Sequence, residues 1–239
     1  MSQNMYLDGT YLANTGGTWN TDDCPFKARY IAEILRRNAI KPATVCEVGC
    51  GAGEILNQLA TVHGAWFGPE TRFMGYDIAP TAIEMAQPRA SERVGFHCQD
   101  LFETRDHFDL MLTIDVIEHV EDYFSFLRQL RDRASYHVFH IPLEMSSQMI
   151  AQGEPLMWAR RAVGHIHHFN KDTAVAALED TGYEVVDYLY TPGYAELPVN
   201  SLKRAIARLP RKLLFPLKPD LAVRLLGGYS LMALARPKA

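Results

Sequence analysis

The sequence is poor in cysteine, and its few cysteines do not form a ligand pattern. Cys24, Cys46, Cys50 and Cys98 are the only four in a chain of 239 residues. The Cys46-x-x-x-Cys50 spacing could indicate a metal or redox pair, but no second Cys/His pair with ligand spacing accompanies it. The sequence therefore argues against a disulfide framework, and we expect buried, reduced thiols.

Long apolar runs are also missing. No apolar stretch approaches the roughly 20 residues that a membrane-spanning helix needs. The polar residues 1–4 have no apolar core behind them, unlike a secretion signal. Internal repeats and low-complexity tracts are absent too. We therefore expect a cytoplasmic protein.

Basic residues are scarce in most of the chain. Residues 1–199 hold 15 Lys and Arg against 27 Asp and Glu, whereas residues 200–239 hold nine basic residues and the single acid Asp220. A nucleic-acid-binding protein usually carries a broad basic face beside its active site. The acidic composition of residues 1–199 therefore predicts that no nucleic acid is bound. The basic composition of residues 200–239 needs a separate explanation.

What the sequence does have is 48% hydrophobic residues, enough for one full α/β core, and one glycine-rich loop. In residues 44–55 (TVCEVGCGAGEI), an apolar run reaches an acid, three alternating glycines and then the start of a helix. Alternating glycines allow a tight turn and leave no Cβ between backbone and ligand. The dinucleotide fingerprint puts its third small residue where Glu54 stands, so this loop favours a nucleoside over a pyrophosphate.

Strand patterns alternate with helical patterns along the rest of the chain. The predicted strands are 44–48, 73–77, 94–98, 108–114, 136–141, 183–190 and 229–235. The predicted helices are 24–38, 54–62, one opened by Pro80, 121–133 and 171–180. This alternation predicts a doubly wound, mainly parallel α/β sheet.

The segment Glu47-x-Gly49-x-Gly51-x-Gly53 resembles the first motif of the class I S-adenosylmethionine-dependent methyltransferases. Later landmarks follow in that family's order, so the resemblance covers nearly the whole chain. It implies a single methyltransferase domain over 1–239, with a Rossmann-like seven-stranded sheet in the order 3-2-1-4-5-7-6 and strand 7 antiparallel. It also implies S-adenosylmethionine as cofactor and a small-molecule or glycoconjugate acceptor, as in the similar ubiquinone-pathway O-methyltransferases.

Acids at strand ends are the expected cofactor contacts. Asp77 can accept two hydrogen bonds from a ribose diol, with a helix cap as the alternative. The resemblance implies that Asp100 binds the adenine amine, with a simple turn role as the alternative. It also places Glu47 and the backbone around Asp115 at the methionine moiety. The full predicted cofactor set is Glu47, Gly49, Cys50, Gly51, Gly53, Asp77, Ile78, Asp100, Leu101, Asp115 and Val116.

Histidines are the candidates for the chemistry. A sulfonium methyl group is already activated, so the protein mainly aligns it with a nucleophile and excludes water. A hydroxyl acceptor would also benefit from a general base, for which we consider His119, His140 and His167. Hydrogen bonding to backbone carbonyls is the alternative role for each. The expected substrate contacts are Trp19, Glu118, Glu144, His165 and His168.

The run Asp115-x-x-Glu118-His119 also resembles a metal motif. Certain ubiquinone-pathway and small-RNA 2′-O-methyltransferases bind a divalent cation through Glu-x-x-Glu-His and further ligands. Here Asp115 replaces the first Glu, and His140 or the 165–168 cluster could supply a fourth ligand. Most relatives with similar motifs bind no metal, so we expect none.

Two segments lie outside the sheet pattern. Residues 1–40 are expected to form a lid and a helix, because the glycine-rich segment 14–23 resembles the lid of relatives, in which Trp19 would close over cofactor or acceptor. An ordered surface loop without function is the alternative. Residues 191–227 form an insertion between the last two strands, and their pattern predicts an amphipathic cationic helix. We expect it to pack against protein, as a cover of the site or as a homodimer arm. Contact of residues 201–226 with an anionic membrane is the alternative, and it would make a lipid-linked acceptor attractive.

The sequence thus predicts methyl transfer from S-adenosylmethionine to a small molecule or a sugar- or lipid-linked acceptor, at oxygen. Two alternatives stay open. One is a catalytically inactive S-adenosylmethionine-binding partner subunit. The other is a nicotinamide-dependent oxidoreductase, which Glu54 disfavours.

Overall fold

A single sheet of seven strands organises the computed structural model, which describes residues 2–198 and 202–238. Side chains 2–4 and 202–204 also lie outside the description. The strands are β1 (Thr44–Val48), β2 (Arg72–Asp77), β3 (Val94–Cys98), β4 (Phe108–Ile114), β5 (Ala134–Pro142), β6 (Tyr183–Thr191) and β7 (Ser230–Pro237). Their order is β3-β2-β1-β4-β5-β7-β6, and β7 runs antiparallel to both neighbours. The predicted fold class is confirmed.

The helices connect these strands. They are α1 (Ser2–Leu7), α2 (Thr10–Asn14), α3 (Cys24–Arg37), α4 (Glu54–Ala60), α5 (Gly64–Phe67), α6 (Pro80–Ala86), α7 (Tyr123–Arg131), α8 (Ser147–Gln152), α9 (Glu154–Ala162), α10 (Lys171–Asp180), α11 (Gly193–Glu196), α12 (Leu202–Ala207), α13 (Leu209–Leu214) and α14 (Pro219–Leu226). Within the described ranges, no helix is both long and apolar enough to cross a bilayer.

The core lies where the middle strands meet the helices. Leu110 and Leu112 of β4 and Val138 of β5 are fully buried, as expected for strands covered on both faces. Ile31 and Ile34 of α3 are fully buried in the same core. Because the parallel strands run in register, β1, β2, β4 and β5 end at one edge of the sheet. This edge carries the candidate site.

Strand β5 and the segment that follows it differ from the sequence-based prediction. Strand β5 begins at Ala134, two residues earlier than expected, because Ala134 is buried and pairs with Phe108. Helices α8 and α9 were not predicted. They are only six and nine residues long, and they are separated by Gly153 at a φ of 68°, so their helical periodicity is short and interrupted.

The insertion after β6 folds as four short helices, α11 to α14, rather than as one long amphipathic helix. Residues 199–201 and the side chains of Leu202, Lys203 and Arg204, which were part of the predicted apolar and cationic pattern, lie outside the described residues. Arg211 in the middle of the insertion is only 6% exposed. It anchors α13 to the body through contacts with backbone carbonyls.

Candidate active site

One cavity of about 690 Å³ opens at the carboxyl edge of the sheet. This volume lies within the range of about 300–1,000 Å³ typical of small-molecule sites. The predicted residues that line it are Trp19, Glu47, Gly49, Cys50, Gly51, Gly53, Asp77, Ile78, Asp115, Val116, His119, His140, Glu144 and His165. The structure therefore brings most of the predicted cofactor and acceptor residues to one continuous space.

The glycine loop after β1 forms one end of this cavity. Gly49 and Gly51 have φ angles of 69° and 53°, in the left-handed region that side chains rarely adopt. A Cβ on Gly49 would lie 2.8 Å from Val116, and one on Gly51 would lie 2.8 Å from the Trp19 indole. Both glycines are required by conformation and by space, so the loop presents bare backbone to the cavity.

Asp77, at the end of β2, is tied to this loop. One carboxylate oxygen accepts a hydrogen bond from the Gly51 N–H at 2.8 Å, and the other accepts one from the Ala79 N–H at 2.9 Å. Burial raises the pKa of Asp77, while these two N–H donors oppose the shift. A carboxylate has further lone pairs, so this capping role leaves acceptor capacity facing the cavity. The sequence treated capping and ribose binding as alternatives, and the geometry allows both.

Lys27 lines the cavity, and sequence reasoning missed it. It is 8% exposed on α3, and its Nζ lies 2.7 Å from Asp115 and 2.8 Å from Asp23. Burial alone would lower its pKa, but the two carboxylates hold the pKa of Lys27 well above its ordinary value. The available signal was a lysine four residues after Asp23 on a helix whose inner face is otherwise apolar.

Asp115 follows β4 at a φ of 52°, unusual for a residue other than glycine. Besides Lys27, it accepts a hydrogen bond from His140 Nδ1 at 2.5 Å. Burial opposes ionisation, but His140 and Lys27 lower the pKa of Asp115 far below its usual range. His140 Nε2 lies 2.8 Å from Thr191 Oγ1, so both ring nitrogens of His140 are engaged. This arrangement suits a positioning role for His140 better than proton transfer.

Glu47 stands at the same end of the cavity. It is 2% exposed, and its Oε2 has no hydrogen-bond partner in the described part of the chain. Burial raises the pKa of Glu47 well above its usual value, although the nearby Lys27 charge opposes this. A buried acceptor without a partner is costly unless a ligand donates to it. The geometry therefore fits the predicted contact with an ammonium group.

Histidines form the opposite end of the cavity. His119 Nδ1 donates to the Gly164 carbonyl at 3.1 Å and lies 2.8 Å from the Tyr6 hydroxyl oxygen. The Tyr6 hydroxyl in turn donates to the Val163 carbonyl. His119 Nε2 is therefore left as the basic nitrogen. Burial, with the neighbouring His165, lowers the pKa of His119 to about 4. His119 is consequently neutral near neutral pH.

Glu144 orients two further imidazoles at this end. Its carboxylate accepts hydrogen bonds from His165 Nδ1 at 2.9 Å and from His168 Nδ1 at 2.6 Å. Although burial opposes it, the bond from His165 helps to keep the pKa of Glu144 below its usual value. With Nδ1 committed to Glu144, His165 has only Nε2 free for other contacts.

Glu118 lies beneath these rings and does not itself line the cavity. It is 1% exposed, and within the described residues neither of its carboxylate oxygens has a hydrogen-bond partner. Burial and the Asp115 charge raise the pKa of Glu118 well above its usual value. Its Oε1 lies 4.0 Å from His119 Nε2 and from His165 Nε2.

These three side chains are a donor set of the kind that holds a divalent cation. Within the described ranges, one oxygen of Glu118 and one nitrogen each of His119 and His165 all lie within 4.8 Å of one another. Both imidazoles direct their other nitrogen to an acceptor, the arrangement that usually supports metal-bound histidine. Asp115, the first acid of the predicted motif, is instead engaged by Lys27 and His140.

The N-terminal segment covers part of the cavity. Tyr6, Tyr11 and Trp19 all line it, and Asn14 Nδ2 donates to the Ala162 carbonyl at 2.9 Å. Trp19 adopts a φ of 53° and packs its ring edge-on against Tyr11, at a centroid distance of 5.1 Å. Trp19 thus lies over the glycine loop, and its role as a lid stays a prediction.

Four predicted site residues besides Glu118 lie outside the cavity lining. The Asp100 carboxylate accepts a hydrogen bond from the Phe102 N–H at 2.9 Å, and Leu101 is buried. His167 donates to the Glu121 carbonyl at 3.2 Å, and His168 reaches the site only through Glu144. Their direct roles in binding or catalysis stay predictions.

Comparison with known proteins agrees with this geometry. Residues 25–188 match the family model described as a methyltransferase domain. The chain is 29% identical over 120 residues to the ubiquinone biosynthesis O-methyltransferase of Azorhizobium caulinodans, covering 44% of this chain and 45% of that protein. It is 32% identical over 117 residues to norajmaline N-methyltransferase of Rauvolfia serpentina, covering 43% and 38%. The chain thus matches less than half the length of these relatives.

A solved structure shows the same fold. The magnesium protoporphyrin IX methyltransferase of Synechocystis PCC 6803, determined with bound SAH, superimposes with a TM-score of 0.59. The match covers 90% of this chain and 83% of that one, at 15% sequence identity. At this identity the likeness supports the fold alone.

Proposed function

The chain belongs to the methyltransferase-domain family, and on that premise we propose that it transfers a methyl group from S-adenosylmethionine to the oxygen of a small-molecule or a sugar- or lipid-linked acceptor. The observation that carries the proposal is the single cavity that joins a bare glycine loop to a cluster of oriented histidines. One end suits a nucleoside and the other suits a hydroxyl group. The structures of some relatives, which contain SAH or SAM, support the choice of cofactor.

The residues at the first end would hold the cofactor. The glycine loop and the remaining lone pairs of Asp77 receive the nucleoside and its ribose hydroxyls. The unpartnered Glu47 oxygen accepts from the ammonium of the methionine moiety, and the Lys27 ammonium faces its carboxylate. Bound there, S-adenosylmethionine supplies an activated sulfonium methyl group, which needs alignment more than further activation.

The residues at the second end would handle the acceptor. His165 Nε2 would take the hydroxyl proton, so that the acceptor oxygen becomes the nucleophile for the methyl group that S-adenosylmethionine would supply. The Glu144 carboxylate, bonded to His165 Nδ1, stabilises the imidazolium that results. The neutral His119 ring packs edge-on against the His165 ring at a centroid distance of 4.8 Å and helps to fix its orientation. Trp19 and Tyr6 exclude water from the reacting groups.

The test is transfer of labelled methyl groups to candidate hydroxyl acceptors by the wild-type protein and by His165→Gln. The variant should lose at least about 100-fold in turnover, because a general base contributes about 100- to 10,000-fold. Because His165 lies away from the glycine loop, the affinity of the variant for S-adenosylhomocysteine should be unchanged. His167→Gln is the matched comparison, since that ring lies outside the cavity. An equal loss in His167→Gln would contradict the assignment of His165 as the base.

The two alternative functions give different results. An inactive partner subunit would bind S-adenosylhomocysteine tightly and methylate no acceptor. A nicotinamide-dependent oxidoreductase would bind NAD in calorimetry and would not bind S-adenosylhomocysteine. Tight S-adenosylhomocysteine binding combined with methyl transfer would support the proposal against both.

A metal-assisted form of the same transfer is the second candidate, and the unpartnered Glu118 carboxylate favours it. A divalent cation held by Glu118, His119 and His165 would lower the pKa of an acceptor hydroxyl directly. Activity that EDTA abolishes and Mn²⁺ restores, and that Glu118→Gln does not regain with Mn²⁺, would support this form. Full activity in EDTA would support the expectation that no metal is bound.

A further inference from the structure

Large apolar side chains are exposed in a row along the insertion between β6 and β7. Ile206, Leu209, Leu213 and Leu217 are 58%, 55%, 71% and 80% exposed. Their spacing of three, four and four residues is that of one helix face, and it runs from Ile206 in α12 through Leu209 and Leu213 in α13 to Leu217 in the turn after α13. Single exposed leucines are ordinary, but a contiguous row of this kind marks a contact surface. These four residues are called the apolar row below.

Arg211 fixes the direction in which this row points. Its guanidinium donates to the Gly227 carbonyl at 3.0 Å, the Ala207 carbonyl at 2.7 Å and Gln148 Oε1 at 2.9 Å. It also packs over the Tyr194 ring at 4.4 Å. Because Arg211 is held against the body, the apolar row on the other side of α13 is held outward.

Positive charge flanks the row. Lys212 and Lys218 are exposed, and neither has an ion-pair partner in the part of the chain that the structure describes. Asp220, the one acid of residues 200–239, is engaged by Tyr190 at 2.5 Å and by Lys171 at 3.6 Å. The apolar row is therefore flanked by side chains that carry a net positive charge.

The apolar side chains and the positive charge together distinguish between two surfaces that could cover the apolar row, a second copy of the chain and an anionic bilayer. A second copy of the chain would meet it through a two-fold interface, in which each patch faces itself. That arrangement would bring Lys212 and Lys218 towards their own counterparts, which is unfavourable. An anionic bilayer offers negative headgroups for the lysines and an acyl boundary for the leucines.

We propose that the apolar row, with Lys212 and Lys218, binds an anionic phospholipid surface. The helices α12 and α13 lie along the headgroup region, with Leu213 and Leu217 reaching furthest into it. Leu221 and Leu225 of α14, at 41% and 40% exposed, extend the same surface. Arg208 lies within the row's span and also lines the cavity. The bound face therefore adjoins the active-site entrance.

The test is sedimentation with vesicles of phosphatidylcholine alone and of phosphatidylcholine mixed with phosphatidylglycerol. The wild-type protein should bind the anionic vesicles at least tenfold more tightly than the neutral ones, and added salt should weaken this binding. Leu213→Asp/Leu217→Asp should abolish binding, and Lys212→Glu/Lys218→Glu should reduce it at least tenfold. Val62→Asp is the matched control, since Val62 is 67% exposed and lies outside the insertion.

Melting temperature and S-adenosylhomocysteine binding verify that each variant is folded, so the result does not depend on methyl transfer. Equal binding of all variants, or equal binding to neutral and anionic vesicles, would overturn the proposal. It would also be overturned if the wild type ignored vesicles and sedimented as a dimer that Leu213→Asp/Leu217→Asp dissociates. That outcome would assign the row to a second copy of the chain.

Discussion

Lys27 is expected to contribute both to the stability of the fold and to ligand binding at the cofactor end of the cavity. Replacing Lys27 and measuring both quantities separates these two contributions. Lys27→Met keeps a side chain of similar length on α3 and removes the charge. The Asp23 and Asp115 carboxylates, at 2.8 and 2.7 Å from Nζ, both lose a cationic partner. Asp115 keeps its hydrogen bond from His140, whereas Asp23 has no second cation within salt-bridge distance among the described residues.

Breaking a buried ion pair by removing one partner costs about 3–5 kcal/mol. Because His140 still supports Asp115, we expect the lower end, about 3 kcal/mol. In a domain of this size that corresponds to a fall of about 6–12 °C in melting temperature. Arg29→Met is the matched control on the same helix. Its partner Glu196 and Arg29 itself are roughly half exposed, so the loss there should stay below about 1 kcal/mol.

The second readout is ligand discrimination. An ammonium group has three N–H donors, and the two carboxylates occupy two of them, which leaves one to face the cavity. If that donor binds the ligand carboxylate, Lys27→Met should lose about 1.5–3 kcal/mol of S-adenosylhomocysteine affinity, about 10- to 150-fold. The affinity for 5′-methylthioadenosine, which lacks the amino-acid moiety, should not change.

Calorimetry with both ligands, together with thermal melts of both variants, checks these expectations. An equal loss of affinity for the two ligands would show that Lys27 stabilises the structure of the site and does not bind the ligand carboxylate. A melting temperature unchanged from the wild type would refute the buried ion-pair argument.

Three further predictions concern single groups in the site. Gly51→Ala places a side chain at a φ of 53° and should cost about 1–2 kcal/mol in the free energy of unfolding. Gly64→Ala, which meets no atom within 4 Å, should be neutral in the same denaturant titration. Asp77→Asn should weaken S-adenosylhomocysteine binding by about 1–3 kcal/mol, and a larger loss in Asp100→Asn would contradict the cavity geometry. His119 is neutral in the folded state down to a pKa of about 4, below the usual 6.5, so the unfolded chain binds more protons between these values. The free energy of unfolding should therefore fall as pH drops from about 6.5 to about 4, and His119→Gln should flatten this fall. An unchanged slope would show that His119 does not contribute to it.

The positions of the strands along the chain could be anticipated because their signals are local, whereas their order in the sheet was implied by the family resemblance. Seven apolar runs stand between helical patterns, and the family resemblance supplied the placement of the last strand. The short helices α8 and α9 were not predicted, since six or nine residues with a glycine between them give too little periodicity. For the same reason, the insertion was expected to be one helix and is four.

The glycine loop, the acid at the end of β2 and the family could be identified from the sequence, because each depends on residues that are close together along the chain. Which charged side chains meet depends on the packing of distant segments. Lys27 reaches Asp115 across 88 positions, and His165 reaches Glu118 across 47. Such pairs are set by how α3 and the 165–168 segment pack on the sheet edge. The energy of bringing charges together there depends on burial, and burial is a property of the packed fold rather than of any local pattern.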